Sequence, residues 1–419
     1  MSNVLSQLVA TPPQHLRPDA ARIATVALWP IAVMVVLHSV LVLAFNGSVT
    51  DDFTTVYSAI RRMLGGVPVY NENYATVDPH YLYNPGATLL LAPMGLSGDR
   101  ELSRAVFIVL NAAAIIAALA VLVRLVGHRL TSWLFPGAVT VAFLTESVRN
   151  TLIFSNINGI LLLALSGFLW LLLRGHRWWA GLVLGLAIVV KPMFAPLLLL
   201  PLMKFDWRTI LGGVAVPVLA NVIAWPLVPG AGDYLTRVVP YLGETRDYAN
   251  SSLAGFAVYF DMPGWLEAVL WLTLGVFVAV GLAALFFYRD SAPLFWATTT
   301  TGLLLTGVFV MSSLGQQYYS MMLFPMILTV ATRLSVFHVW PAWLAAFLFL
   351  WPGDWHSVHA PDAGRWASYF TATAGWSMLV VVIAVTAVVY LRRDRNILTS
   401  ATVAAQEPVA ANGNGETHV

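Results

Sequence analysis

The sequence predicts an all-α, polytopic integral membrane protein with about twelve transmembrane helices. Three observations carry that reading. Of its 419 residues, 59% are apolar and 10% charged, with a mean hydropathy of +0.76; soluble globular chains run near about 45–50% apolar and about 25% charged. Apolar runs recur along the chain at lengths suited to membrane spans. The basic residues also sort to one side of the resulting map, as the positive-inside rule requires. A net charge of +2 supplies no field for nucleic acid. The absence of cysteine removes disulfides, thiolate chemistry and Cys-based metal sites.

Residues 1–21 are polar, contain Pro12 and Pro13, and read as a cytoplasmic N-terminal segment. The apolar run Ile23 to Phe45 is too long for a signal-peptide core and lacks a cleavage pattern, so it reads as a retained first span. Further spans are expected near 105–127, 132–147, 157–173, 178–190, 193–203, 208–228, 264–287, 292–311, 318–332, 336–351 and 371–391. The pair 178–190 and 193–203, split by Lys191-Pro192, suggests short helices meeting inside the protein.

With a cytoplasmic N-terminus, 13 of the 22 basic and 6 of the 20 acidic residues fall inside. The other 9 basic and 14 acidic residues fall on the outer face. Residues 22–391 then form one membrane domain with outer loops at about 46–104, 229–263 and 352–370. The 392–419 tail reads as a cytoplasmic, disordered terminus. Polar chemistry is therefore expected on the outer side.

Asp51-Asp52 precede FTTVYSAIRRML, where Phe53, Val56, Tyr57, Ile60, Met63 and Leu64 share one helical face. This is a short amphipathic helix lying on the membrane surface. Asp52 suits two compatible roles, an N-cap or a general base at the water–lipid boundary. The following Val77–Gly86 stretch holds two prolines, His80, Tyr81 and Tyr83 beside the membrane. His80 is read as a structural donor or as a donor to substrate.

Lys191 lies between two apolar runs, where a cation calls for an anionic partner or snorkels to the interface. Glu146, Arg149 and Asn150 line the preceding outer turn, followed by Asn156 and Asn158, whose spacing reads as turn and capping groups rather than ligands. Arg246 and Tyr248 sit in a mixed-charge outer loop, and Gln316 to Tyr319 open an apolar stretch. The chain has no Gly-rich phosphate loop, no HExxH motif and no loop large enough for a nucleotide-sugar domain. A glycosyl donor would have to arrive already in the membrane.

Several of these segments fall in a recognisable order: an Asp in the first outer loop, Tyr83-Asn84-Pro85, Asn156-Ile157-Asn158-Gly159 and Lys191-Pro192. Together with the strings VDPHYLYNPG, SNING, TRDYANSS and QQYYSMMLFP, they resemble glycosyltransferase family 87, from about residue 25 to 391. The resemblance implies a GT-C-type architecture with periplasmic juxtamembrane helices, in the inner (plasma) membrane with the active site facing the periplasm.

It further implies a decaprenyl-phosphoryl-arabinofuranose donor and an α-(1→5) arabinan acceptor. The product would be an α-(1→3) branch in arabinogalactan or lipoarabinomannan, made with inversion. By this resemblance Asp52, or else Asp51, is the catalytic acid. Lys191, Arg246 and His80 are expected at the donor phosphate, and Tyr81, Tyr83, Asn158, Tyr248, Gln316 and Tyr319 at the sugars. No metal site or cofactor beyond the lipid-linked donor is implied, and the question of a divalent ion stays open. A mannosyltransferase of the same family and a flippase for a lipid-linked sugar are the competing readings.

Overall fold

The computed structural model describes residues 18–47, 52–76, 80–353 and 355–406, with residues 394–406 described by backbone alone. Among the described residues the architecture is helical throughout, without an extended sheet. Residues 1–17, the first part of the expected N-terminal segment, lie outside the described residues, as does the end of the tail beyond Gln406.

Among the described residues six helices are long and apolar enough to cross a membrane: Pro18–Ala44, Arg100–Leu125, Trp207–Ala224, Gly264–Phe286, Pro293–Met311 and Pro361–Arg393. Five shorter apolar helices accompany them, at Leu134–Leu144, Asn158–Leu173, Arg177–Val190, Pro192–Met203 and Trp340–Leu350. The remaining expected span, 318–332, is not one α-helix. It is a 3-10 turn at Gln317–Leu323, one α-turn at Phe324–Ile327 and a second 3-10 turn at Leu328–Ala331. Pro325 lacks the N–H that a continuous helix would use there. Such backbone is tolerated at membrane depth when enclosed by protein, and Tyr318 and Ser320 to Pro325 are buried.

At the other end the last helix runs on to Gln406 instead of ending near Leu391. The 392–406 stretch holds no Gly or Pro to stop it, and Pro408 follows.

Pro293–Met311 is the central helix, with 83% of its apolar window buried, against 17% for Pro18–Ala44 and Trp207–Ala224. The latter two display Val26, Met34, Val218 and Val222 outward, a surface suited to lipid. Gly127 and Gly175, with φ of 88° and 75°, end the helices before them and turn the chain at two corners.

Small residues decide how closely Arg177–Val190 meets Trp207–Ala224. A Cβ on Gly181 would sit 2.7 Å from the Thr209 carbonyl oxygen and 3.0 Å from Gly212 Cα; one on Gly185 would sit 2.6 Å from Val216 Cβ. Close backbone approach through such residues is how membrane helices associate. The C-terminal ends of this pair hold the Tyr83–Gly86 turn. Asn84 Nδ2 donates to the Val189 carbonyl at 2.7 Å, and Gly86 N donates to Asn221 Oδ1 at 3.0 Å. Lys191 follows directly. Replacing Gly181 by Val should therefore lower stability by at least about 1–3 kcal/mol. Gly98→Val, with open space around it, should stay within about 0.5 kcal/mol. Thermal unfolding of both variants in one detergent checks the contrast, and equal midpoints would contradict it.

Candidate active site

The site forms where four segments meet at one end of the helices. Asp52 opens the Asp52–Leu64 helix. The helical period is as expected, but the face of Phe53, Val56, Tyr57 and Ile60 is buried against the protein itself rather than left for a membrane surface. A carboxylate in the first turn is favoured by the helix dipole. The Asp52 backbone N–H donates to the Phe154 carbonyl at 2.9 Å, which joins this helix to the next part of the site.

That part is the turn after Glu146–Ile153. Thr145 caps the helix, its Oγ1 accepting from Val148 N. At the other end Ser155 takes a left-handed φ of 50° and is buried. This reverses the chain, so that Asn156 N donates back to the Thr151 carbonyl at 2.8 Å. Asn156 Oδ1 then accepts from Asn158 N at 3.1 Å, closing an Asx turn that starts Asn158–Leu173. Gly159 permits the next helix to approach, since a Cβ there would lie 2.6 Å from the Asn111 carbonyl oxygen.

Both asparagine side chains point into the cluster. Asn156 Nδ2 donates to Asp52 Oδ2 at 2.6 Å, and Lys191 Nζ donates to Asn156 Oδ1 at 3.1 Å and Asn158 Oδ1 at 2.7 Å. Lys191 does not snorkel outward: its ammonium lies 4.6 Å from the centre of the Tyr319 ring. Among the described residues, no carboxylate stands within ion-pair distance of it.

The fourth segment is the 3-10 turn at Gln317–Leu323. Its 120° step per residue sends neighbouring side chains in distinct directions. Tyr318 OH reaches Asp52 Oδ2 at 3.0 Å, and Tyr319 supplies the ring beneath Lys191. Gln316 Oε1 is in close contact with the same Tyr318 hydroxyl. Among the described residues no donor serves Asp52 Oδ1.

Tyr83 lines a small cavity with Asp52, Phe53, Phe107 and Asn156. Burial, and then the charge of Asp52, hold its hydroxyl well above the ordinary phenol range, so it stays protonated. Among the described residues no three His, Asp or Glu side chains converge as a metal cage.

Of the residues expected at the site, Asp52, Lys191, Asn158, Gln316, Tyr319 and Tyr83 come together. Asp51 lies outside the described residues. His80 and Tyr81 belong to a neighbouring scaffold. Glu72 accepts from Arg62 and from Tyr81 N, and stands 3.5 Å from His80 Nδ1. His80 also packs against Tyr74 and Tyr241, with ring centres 5.0 and 5.2 Å away. Tyr81 is fully buried and donates to Thr88 Oγ1 at 2.8 Å. Burial and the Glu72 charge keep the Tyr74 hydroxyl protonated above its usual range, as a donor to the Tyr81 carbonyl.

Arg246 and Tyr248 pair with each other, at 3.4 Å from Nη1 to OH. They flank the cluster, near enough for the Arg246 charge to reach Tyr319. Asn250 fixes their loop, donating to the carbonyls of Arg246 and Ser313 and accepting from Ser252 N and Gly315 N.

Two members of the cluster were missed as ligands in the sequence, Asn156 and Tyr318. The signal was available in part, since both sit inside the strings SNING and QQYYSMMLFP. Their roles depend on a left-handed Ser155 and a 3-10 turn, neither of which has a sequence period.

The model of Glycosyltransferase family 87 matches residues 81–314 of the chain. The chain is 54% identical, over 94% of its length and 94% of the relative, to the Alpha-(1->3)-arabinofuranosyltransferase of Corynebacterium glutamicum. It is 45% identical to a protein of that name from Mycobacterium tuberculosis, over 90% of this chain and 88% of the relative. A third, from Mycolicibacterium smegmatis, is 43% identical over 88% and 87% respectively. The family model spans more than half of the chain, and the similarity to the first of these relatives covers 94% of it, so the protein belongs to glycosyltransferase family 87.

Proposed function

We propose that the protein transfers arabinofuranose from decaprenyl-phosphoryl-arabinofuranose to the 3-hydroxyl of α-(1→5) arabinan, forming α-(1→3) branches with inversion. The choice of sugar is supported by near full-length similarity to arabinofuranosyltransferases. The chemistry is supported by one observation above the rest, a carboxylate and an ammonium held on the two sides of a single amide. In this reading the chain adopts a GT-C-type arrangement of about twelve membrane segments in the plasma membrane, with the cluster facing the periplasm.

The displacement needs a base for the acceptor and a cation for the leaving group. Asp52 Oδ1 takes the proton of the acceptor hydroxyl as that oxygen forms its bond to the anomeric carbon. The bond from the anomeric carbon to the phosphate oxygen breaks, and its electron pair stays with the polyprenyl phosphate. The phosphate thereby passes from a singly charged diester to a doubly charged monoester. Lys191 offsets the added charge, using an N–H not taken by the two asparagine oxygens. Arg246 is placed on the flank to meet the same phosphate, and Tyr83, Gln316 and Tyr319 border the sugar.

Purified protein supplied with the lipid-linked arabinose and a linear arabinan should yield 3-linked branches by linkage analysis. Transfer of mannose alone from polyprenyl-phosphate mannose would replace this reading with the mannosyltransferase one. Lipid-linked sugar that crosses vesicles without being transferred would replace it with a flippase.

Asp52→Asn should lower kcat by about 10²–10⁴-fold while donor binding persists; full activity would remove the carboxylate from the base role. Lys191→Met should slow turnover by about 10²–10³-fold, as expected for loss of a donor that stabilises developing charge. Unchanged kinetics in that variant would return the lysine to a structural role.

A further inference from the structure

An ammonium and a carboxylate in one apolar protein attract each other strongly, because the low dielectric screens them poorly. Left to themselves, Lys191 and Asp52 would close into a direct ion pair. Asn156 stands between them, with its N–H group toward the carboxylate and its carbonyl toward the ammonium. The orientation of this amide is determined twice over. Reversing it would set NH₂ against ammonium and oxygen against carboxylate. It would also lose the bond that Oδ1 accepts from Asn158 N.

The backbone holds this side chain independently of both charges. Its N–H bonds Thr151, and the left-handed Ser155 precedes it. An amide has no proton to exchange near neutral pH, so it orients both charges and neutralises neither.

We propose that Asn156 is a positioning residue that keeps Asp52 and Lys191 from pairing directly. The carboxylate then stays available to the acceptor hydroxyl and the ammonium to the departing phosphate. The inference rests on the reading of Asp52 as base and Lys191 as phosphate partner.

The groups facing Asp52 are Lys191 from the end of Arg177–Val190, Tyr318 and Tyr319 from the 3-10 turn, and Tyr83 from the Tyr83–Gly86 turn. Phenols titrate far to the alkaline side, so the acid limb of the pH–rate profile reports the carboxylate and its charged neighbour. In Asn156→Asp a second carboxylate faces Asp52 at hydrogen-bond distance, and like charges oppose ionisation. The acid limb of kcat/KM for arabinose transfer should move up by one pH unit or more. In Asn156→Ala the spacer is gone, Lys191 closes on Asp52, and the limb should move down. The ion pair formed there should lower kcat at least tenfold, with a smaller change in KM for the donor.

Thermal unfolding of each variant in the same detergent establishes that it is folded, and the near-isosteric Asp variant covers a failure of the Ala one. A structural role alone would lower activity and leave the acid limb in place. An unmoved limb in the folded variants, beside an inactive Asp52→Asn, would overturn the proposal and leave the base assignment standing. Retained activity in Asp52→Asn would overturn both.

Discussion

Charge inside an apolar protein is costly unless compensated, and compensation usually consumes the reactivity that made the charge useful. The amide of Asn156 addresses both demands, giving to Asp52 at 2.6 Å and receiving from Lys191 at 3.1 Å. The remaining contacts of the site serve this bridge. Asn158 takes a second Lys191 proton, and Tyr319 lies under the ammonium. Tyr318 shares the carboxylate oxygen that Asn156 already holds. The other carboxylate oxygen, and one ammonium proton, stay uncommitted among the described residues.

The long helices do not themselves supply these groups, but they determine where the irregular segments can go. Arg104, buried near the N-terminus of Arg100–Leu125, donates at 3.1 Å to both the Ala44 and Ile153 carbonyls, each at the end of a helical segment. A cation there suits two helix C-termini at once, and the next carbonyl along, Phe154, anchors Asp52 N. On the other side, the glycine contacts between Arg177–Val190 and Trp207–Ala224 bring Asn84 to Val189 and so fix the approach to Lys191. A shift of either support would move one charge relative to the other, because the asparagine bridge has no slack to absorb it.

Much of this was legible in the sequence, for identifiable reasons. Membrane spans announce themselves through composition, and the amphipathic Asp52–Leu64 helix through its period, so Asp52 could be placed at a helix start. Lys191 stood out as a cation between apolar runs. The partners of these two residues carried no such mark. Asn156 meets Asp52 across 104 positions and Tyr318 meets it across 266. A 3-10 stretch with Pro325 looks as apolar as a membrane helix, and hydropathy could not reveal that it is broken. His80 and Tyr81 looked like site residues because an aromatic, proline-bounded loop has the same composition whether it binds a sugar or braces a neighbour. The Glu72 contacts give them the second task.

In the proposed mechanism, the geometry of an inverting displacement explains why the spacer should be one amide long. Base, attacking oxygen, anomeric carbon, leaving oxygen and cation follow one another along a bent path. Its hydrogen-bond and attack distances are each roughly 3 Å. A direct ion pair, closed to within hydrogen-bond distance, leaves no room for a sugar between its members. Two hydrogen bonds joined through an amide extend to roughly 8 Å, comparable with that path once it bends around the ring. The same length sets an upper bound, since a second bridging residue would place the cation beyond reach of the oxygen on which charge develops. A short polar side chain with one donor face and one acceptor face meets both limits. Asparagine, held by its own backbone in the 154–158 turn, provides it with no net charge of its own.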